Sequence, residues 1–371
     1  MKKKVLILST TEGHASLARA TRSILGDSYL VEEVELIKDF GSYRFVYRFM
    51  PSTFKWIWNL GNKKITRELV ELYTDKRYAK KIKKVVEGYQ PDLVVTTYFL
   101  YQFELAKLKQ VSGFKWINVV QNPISIVPIE LARMADVNLG FGKEFKKLGR
   151  EMGIAETRLV EVGWLVDKEF YKEISQEEKF KRLSVWGFEK DKLTVVVCGG
   201  SEGTNMMLKI LPDLLTPKGS EKFQVVFITG TNRWLKKTIE KVIELLKKTK
   251  VKLPKTVVLG FTKEMAEILK VADVVVGKAG PNLLFEAVAA RKPFIAIAHI
   301  EGQESGNLEL IEREGFGWVA EERERFRDLW RKIEKNPKIL RKWDRNLIVA
   351  AEKNKRGLEK TKELIEELLN E

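Results

Sequence analysis

The sequence predicts an α/β protein made of two domains in tandem, each built on its own parallel sheet. The chain has 371 residues, more than one hydrophobic core usually organises. Short apolar runs alternate with helical patterns in two separate series, as they do in parallel α/β sheets. Between the series, residues 162–191 are rich in charge and lack apolar periodicity, so we place the interdomain connection at 166–191.

The first series predicts an N-terminal domain over residues 1–165. An apolar run at 5–8 predicts the first strand, the pattern at 14–25 a helix, and 29–36 the second strand. Further strands are predicted at 93–97, 116–120, 137–139 and 159–162.

The second series predicts a C-terminal domain over residues 192–340. Its strands are predicted at 193–198, 223–229, 256–259, 273–276, 294–298 and 318–320, with helices between them. Residues 341–371 are rich in Lys and Glu, with Leu and Ile at helical spacing. They predict one or two terminal helices, which we expect to pack back on the N-terminal domain.

The positive charge is concentrated in one segment. The formal net charge is +16, and residues 38–84 alone hold 13 Lys and Arg against 4 Asp and Glu. Nucleic acid, an anionic membrane and acidic small molecules are therefore all open as partners. The single cysteine excludes an intramolecular disulfide framework, and two histidines without a cysteine cluster exclude the usual zinc patterns. The apolar runs are too short for a transmembrane helix or a signal peptide, so we expect a cytoplasmic protein.

The turn after the first strand reads Ser9-Thr10-Thr11-Glu12-Gly13-His14 and opens a helix. In an open α/β sheet, ligands bind beyond the carboxyl ends of the strands, where a helix N-terminus offers N–H groups. His14 is therefore a candidate site residue, with a polar residue on a surface helix as the alternative.

The first strand of the second series ends in Cys198-Gly199-Gly200-Ser201-Glu202-Gly203-Thr204. Two glycines after a buried strand let the backbone approach a ligand, and Ser201 adds a hydroxyl donor. The pattern is that of a phosphate-binding turn, and a tight turn without a ligand is the alternative. Cys198 is interpreted as a small buried apolar residue.

A second turn, Gly277-Lys278-Ala279-Gly280-Pro281-Asn282, leads into a helix that carries Glu286. Pro281 suits the first helical position, and Glu286 follows about one and a half turns later. A carboxylate there can accept both hydroxyls of a ribose while the helix start faces a phosphate; a surface glutamate is the alternative. The next loop, 299–307, adds Gln303 and Glu304, which suit vicinal hydroxyls.

These motifs together resemble one family of glycosyltransferases. The segments are Gly13-His14, GGSEGT at 199–204, GFT at 260–262, ADVVVGKAGPNLLFEA at 272–287 and EGQESGN at 301–307. They are similar to the enzymes typified by monogalactosyldiacylglycerol synthase and processive diacylglycerol glucosyltransferase, and more distantly to the peptidoglycan N-acetylglucosaminyltransferase. The resemblance implies a GT-B fold, with two facing Rossmann-like domains and a cleft between them. It also implies inverting transfer of a hexose from UDP-glucose or UDP-galactose to a lipid hydroxyl, with no bound metal and no permanent cofactor.

The resemblance also implies roles for residues. Gly199, Gly200 and Ser201 would contact the diphosphate together with Gly280, Pro281 and Asn282. Glu286 would hold the ribose, Phe261 and Thr262 would lie along the uracil, and Gln303 with Glu304 would read the sugar. His14, next to Gly13, would be the base for the acceptor. The sequence departs from the family pattern at Glu12 and at Val120-Gln121-Asn122-Pro123, on the acceptor side.

The segment 43–84 predicts docking on an anionic membrane at the inner face of the cell membrane. Aromatic rings alternate there with cations, and those we assign to the acceptor and membrane face are Tyr47, Phe49, Trp56, Trp58, Lys63 and Lys64. A core-packed aromatic segment with a solvated basic flank is the alternative.

Other functions remain open at this level. The acceptor could be a polyprenyl-linked peptidoglycan precursor, and a UDP-sugar 2-epimerase is a second enzyme class on a related fold. A basic nucleic-acid-binding protein is the non-enzyme alternative, although no nucleic-acid module is recognisable and we expect no such partner.

Overall fold

The computed structural model describes residues 2–10, 13–37, 64–200, 205–215 and 220–370. The chain forms two compact units. The first comprises Met1–Lys168, Ile300–Asn307 and Lys353–Glu371, and the second comprises Glu169–His299 and Leu308–Glu352.

The first unit contains a parallel sheet of six strands among the described residues, in the order β2-β1-β3-β4-β5-β6. The strands are β1 (Lys4–Thr10), β2 (Leu30–Ile37), β3 (Leu93–Thr96), β4 (Lys115–Val119), β5 (Val137–Gly140) and β6 (Leu159–Glu161). Helices connect them: α1 (Gly13–Leu25), α2 (Lys64–Arg77), α3 (Ala79–Tyr89), α4 (Gln102–Ser112) and α5 (Gly142–Glu151). Because every connection between parallel strands must return along the sheet, the carboxyl ends of all six strands lie at one edge.

Apolar side chains of the strands and helices fill the core of this unit. Leu6, Leu8 and Val94 of the central strands pack with Ile82 and Val86 of α3. The indole of Trp116 is fully buried there. This burial of apolar surface is the main stabilising contribution to the unit.

Polar side chains cross three neighbouring strands of the same sheet. Trp116 Nε1 donates to Thr96 Oγ1 at 3.0 Å, and Thr96 Oγ1 donates to Asn118 Oδ1 at 3.1 Å. Asn118 Nδ2 donates to Asn138 Oδ1 at 2.9 Å. Since these buried groups bond to one another, the cost of removing them from water is offset.

The second unit repeats the architecture with a parallel sheet in the order β12-β11-β10-β7-β8-β9. Its strands are β7 (Leu193–Cys198), β8 (Phe223–Ile228), β9 (Lys255–Leu259), β10 (Val274–Lys278), β11 (Phe294–Ala298) and β12 (Gly317–Val319). The helices are α6 (Gln176–Val185), α7 (Met207–Leu215), α8 (Arg233–Lys247), α9 (Met265–Val271), α10 (Pro281–Ala289), α11 (Ser305–Glu314) and α12 (Arg323–Lys335), and the first three residues of α11 belong to the first unit. The rings of Phe326 and Trp330 stack with an interplanar angle of 2° against Val195 and Phe227 of the sheet core.

The last helix, α13 (Asp344–Asn370), has 27 residues. Its residues up to Glu352 belong to the second unit, and those from Lys353 belong to the first. Within the first unit it packs closely on the segment after β6, where Asn354 Oδ1 accepts from Trp164 N at 2.9 Å. A Cβ added to Gly163 would lie 2.5 Å from the Asn354 Cα, so the glycine is what permits this approach.

The predicted fold class is confirmed, with two parallel sheets and a long C-terminal helix. Each predicted strand is present, with its ends within two residues of the expected positions. The segment predicted as a connection contains helix α6, which begins at a capping box in which Ser175 Oγ accepts from Glu178 N at 3.1 Å. No helix in the described part of the chain has the length and apolar character that crossing a membrane requires.

Candidate functional site

Two turns predicted to bind phosphate lie side by side in the second unit, because β10 pairs with β7. After β7, Gly199 N donates to Ile228 O at 3.3 Å, and Gly200 has φ +78°, which glycine adopts without strain. After β10, Gly280 has φ −69° and ψ 139° and precedes Pro281, the first residue of α10. Ser201, predicted to join this group, lies outside the described residues.

Gly277 sets the spacing of the two turns. A Cβ at this position would lie 2.6 Å from the carbonyl oxygen of Cys198 and 2.7 Å from Leu283 Cδ2. Only a residue without a side chain lets β10 approach both β7 and α10 this closely. Ala279 N then donates to Ala298 O of β11 at 2.7 Å, which fixes the turn before the helix start. The N-terminus of α10 carries the partial positive charge that favours an anion.

Two charged side chains act on the buried thiol at the end of β7. Burial raises the pKa of Cys198 to about 12. The Glu286 carboxylate raises this pKa and the Lys278 ammonium lowers it, so both charges lie within electrostatic range of the strand end. A thiol that stays protonated is a poor nucleophile, which agrees with the interpretation of Cys198 as an apolar residue. Glu286 itself is half-buried on α10.

The turns after β8 and β9 adjoin each other in the same unit. A Cβ on Gly260 would lie 3.6 Å from the carbonyl oxygen of Gly230, and Thr229 Oγ1 donates to Leu259 O at 3.1 Å. The ring of Phe261 is 62% exposed, whereas Thr262 Oγ1 accepts from Glu264 N at 3.0 Å. An exposed aromatic ring of this kind is available to stack on a planar base.

An imidazole and a carboxylate pair at the carboxyl ends of β11 and β12. His299 Nδ1 and Glu321 Oε1 are 2.8 Å apart, and Lys209 donates to the carbonyl of Glu321. When His299 donates from Nδ1, its Nε2 is the acceptor nitrogen of the neutral ring. Sequence reasoning missed Glu321, whose only signal was an acidic residue two positions after a strand.

The loop that follows His299 belongs to the first unit. Glu304 is 3% exposed, and its Oε2 accepts from Ile300 N at 2.8 Å. One carboxylate oxygen therefore stabilises the turn at 300–304. Gln303 is half-buried beside it. Gly306 N donates to Ser125 Oγ at 3.1 Å, which joins this loop to the segment after β4. Gln303 and Glu304 therefore belong to the first unit, whereas the two glycine turns and Glu286 belong to the second.

The segment after β4 contains a buried carboxyl group that sequence reasoning missed. Glu130 is 2% exposed, and its Oε1 accepts from Asn122 Nδ2 at 2.9 Å and from Val127 N at 3.3 Å. Its Oε2 is also buried. Burial raises the pKa of Glu130 to about 7, while the hydrogen bonds from Asn122, Val127 and Gln121 lower it.

On the acceptor side, the backbone agrees with the predicted placement of His14. Gly13 and His14 are the first two residues of α1, and β1 ends at Thr10. The His14 side chain lies outside the described residues, as does that of Lys64. The predicted membrane residues Tyr47, Phe49, Trp56, Trp58 and Lys63 also lie outside them.

The region that contains the two glycine turns matches a family of known proteins. Residues 194–368 match the glycosyltransferase family 28 C-terminal domain. This region, which spans slightly less than half of the chain, is thus similar to a glycosyltransferase domain. The matched region contains both glycine turns, Glu286 and the His299–Glu321 pair, and the resemblance inferred from the motifs is confirmed.

Relatives that match beyond this domain include glycolipid enzymes. Monogalactosyldiacylglycerol synthase 1 of Arabidopsis thaliana is 26% identical over 85% of this chain and 62% of its own length. Processive diacylglycerol beta-glucosyltransferase of Bacillus licheniformis is 24% identical over 66% of this chain and 61% of its own length. The peptidoglycan-precursor N-acetylglucosamine transferase of Desulfitobacterium hafniense is 27% identical over 64% of this chain and 63% of its own length. The chain thus spans about three fifths of the length of these relatives.

A solved structure shows the same fold over the whole chain. The Anabaena protein HepE, in complex with UDP and glucose, superposes with a TM-score of 0.61 at 14% identity and covers 99% of both chains. The chain has the GT-B fold.

Proposed function

We propose that this protein is an inverting hexosyltransferase that moves a sugar from UDP-glucose or UDP-galactose to a lipid hydroxyl, that of diacylglycerol or a glycosyl-diacylglycerol. The observation that carries the proposal is the pair of glycine turns at the carboxyl ends of β7 and β10, which lie beside the N-terminus of α10 in the region that matches the glycosyltransferase family 28 C-terminal domain. The glycolipid synthases among the relatives support the choice of acceptor.

The donor would bind along the carboxyl edge of the second sheet. Gly199, Gly200 and Ser201 would hold the diphosphate with Gly280, Pro281 and Asn282, and Glu286 would accept the ribose hydroxyls. Phe261 would stack on the uracil beside Thr262, while Gln303 and Glu304 would read the sugar. The exposed ring of Phe261 and the close approach of the backbones at Gly277 support this arrangement.

The reaction is a single displacement at the anomeric carbon. The acceptor oxygen forms a bond to C1 as the bond from C1 to the β-phosphate oxygen breaks, and its electron pair leaves with UDP. The acceptor proton passes to a base, for which we propose His14 at the start of α1. N–H groups at the helix start would stabilise the charge on the departing diphosphate, so the proposal needs no bound metal ion.

Membrane attachment would bring the enzyme to its lipid acceptor. Consecutive helices α2 and α3 expose a basic surface formed by Lys76, Arg77, Lys80, Lys81, Lys83 and Lys84. Lys83 pairs with Glu87 at 3.6 Å. This surface supports peripheral association with an anionic membrane at the cytoplasmic face, where UDP-sugars are dissolved.

The proposal is tested by mass spectrometry of the lipids formed from a panel of donors and acceptors. The donors are UDP-glucose, UDP-galactose and UDP-N-acetylglucosamine. The acceptors are diacylglycerol and a polyprenyl-linked peptidoglycan precursor, which the Desulfitobacterium relative suggests as the second candidate. A hexosyl-diacylglycerol product supports the proposal. Transfer only to the polyprenyl acceptor, or UDP-sugar consumption without any transfer, overturns it.

A further inference from the structure

We propose that Lys278 neutralises the diphosphate of the donor and stabilises the leaving UDP. This assignment deepens the proposed function, on which it rests, and gives a role to a side chain that the predicted donor site did not include. The supporting observation is the position of Lys278 next to both glycine turns.

The backbone places Lys278 at the start of the second of these turns. It is the last residue of β10, and the register against β11 shifts at this position, with Gly277 opposite Ala296 and Lys278 opposite Ala298. Gly280 N donates to Lys278 O at 2.7 Å, so the chain turns immediately afterwards towards the start of α10. The lysine therefore begins the turn whose other end is the helix N-terminus.

The side chain extends from this turn to the one after β7. Lys278 Cε lies 3.9 Å from the position of a Cβ on Gly200, an ordinary van der Waals distance. Its stem thus lies against the glycine turn, while the end of β7 is within range of its charge. The side chain of Lys278 thus lies beside both backbone turns that we assign to phosphate.

The chemistry favours a cation at this place in addition to the N–H groups of the helix start. When the bond from C1 to the β-phosphate oxygen breaks, both electrons go to that oxygen and the diphosphate gains a full negative charge. A helix N-terminus supplies about half a positive charge, and a lysine supplies a whole one that is held in position before the reaction. The electrostatic stabilisation should therefore be larger for the departing diphosphate than for the bound UDP-sugar.

The experiment compares ligands that differ only in phosphate. Binding of UDP, UMP and uridine is measured by titration calorimetry for the full-length wild type, Lys278→Met and Lys278→Arg. Lys247→Met is the matched control. Lys247 ends α8, a 15-residue helix that starts at the carboxyl edge, so its exposed side chain lies towards the opposite edge of the same sheet.

For Lys278→Met we expect UDP affinity to fall about 10- to 150-fold, the value of a lost charged hydrogen bond, with uridine affinity unchanged. Lys278→Arg should retain most of the UDP affinity, and Lys247→Met all of it. In turnover assays with varied donor concentration, Lys278→Met should lower kcat by a larger factor than it raises the KM for the donor, because the charge is greatest in the transition state.

Equal losses for UDP and uridine in Lys278→Met overturn the assignment, since they would mean a structural role. Unchanged UDP affinity and kcat in a folded Lys278→Met overturn it as well. If the wild type itself binds UDP no more tightly than uridine, the proposed function fails, and this inference fails with it. The wild-type titration thus separates the two failures.

Discussion

At the scale of single residues, Glu286 gives the most direct test of donor binding. Its carboxylate is half-buried on α10, beyond the turn at Gly280 and Pro281. We expect Glu286→Ala to lower UDP affinity by about 10- to 150-fold, because charged hydrogen bonds to the ribose hydroxyls are lost. Deoxyuridine nucleotides should lose less, because they offer fewer hydroxyls. Calorimetry measures both, with Glu312→Ala as a control at an exposed position of α11. Unchanged UDP affinity in Glu286→Ala would contradict the assignment.

His14 is expected to act on turnover and not on donor binding. As the base for the acceptor hydroxyl, it should account for about 100- to 10,000-fold of the rate. We therefore expect His14→Ala to lower kcat by that factor, with UDP affinity retained. His299→Ala serves as the comparison, because this second imidazole is paired with Glu321 in the other unit. Near-normal turnover in His14→Ala would return the residue to a role at the surface of the helix.

Features of a single segment could be predicted from the sequence better than features that depend on contacts between segments. The turns at Gly199 and Gly280 could be placed because glycines that follow an apolar run indicate a turn at the end of a strand. The surroundings of Lys278, Glu321 and Glu130 could not be predicted, since they depend on which segments are neighbours. That β10 lies between β7 and β11 follows from tertiary packing of the sheet, which no local pattern encodes.

At the scale of elements, the packing of β10 against β7 predicts opposite effects for two glycine substitutions. Gly277→Ala places a methyl group 2.6 Å from a backbone oxygen. We expect it to destabilise the second unit by about 1–3 kcal/mol or more. Gly88 lies in α3 with no atom near the added Cβ, so Gly88→Ala should stabilise by about 0.4–1 kcal/mol. Thermal unfolding of both variants measures the difference, and equal midpoints would contradict the described packing.

The segment after β4 should make stability depend on pH. The pKa of Glu130 is raised by burial from 4.5 to about 7. The unfolded chain therefore loses this proton at lower pH than the native protein does. Its contribution to stability is full below about pH 4.5 and is lost as pH rises to about 7, by about 3 kcal/mol in total.

Glu130→Gln removes this titration while preserving the size of the side chain. We expect its free energy of unfolding to increase relative to that of the wild type between pH 5 and pH 7.5, measured by denaturant titration. Glu151→Gln, at an exposed position of α5, should show no such trend. A difference between Glu130→Gln and wild type that does not change with pH would mean that Glu130 ionises normally in the native protein.

At the scale of the whole molecule, the positive charge is concentrated in one part of the chain. More than half of the net charge of +16 comes from residues 38–84, which hold 13 cationic and 4 acidic side chains. In the described part of this segment, α2 and α3 expose six cations on the first unit: Lys76, Arg77, Lys80, Lys81, Lys83 and Lys84. The second unit, in contrast, contains the turns assigned to the donor. A basic segment in the first unit and donor turns in the second agree with the proposed function, in which the enzyme takes its donor from water and its acceptor from a bilayer.

This distribution predicts reversible binding to anionic vesicles. Each basic residue near such a surface contributes about 1 kcal/mol, so three or four engaged cations would hold the protein weakly. We expect co-sedimentation to increase with the fraction of anionic lipid and to decrease with salt. The variant Trp56→Ala/Trp58→Ala/Lys63→Glu/Lys64→Glu should lose binding. The control Lys237→Glu/Lys241→Glu changes the net charge equally at exposed positions of α8 in the second unit, and should bind as the wild type does. Equal losses in both variants would mean that total charge alone drives binding, and binding that ignores lipid charge would rule out the docking surface.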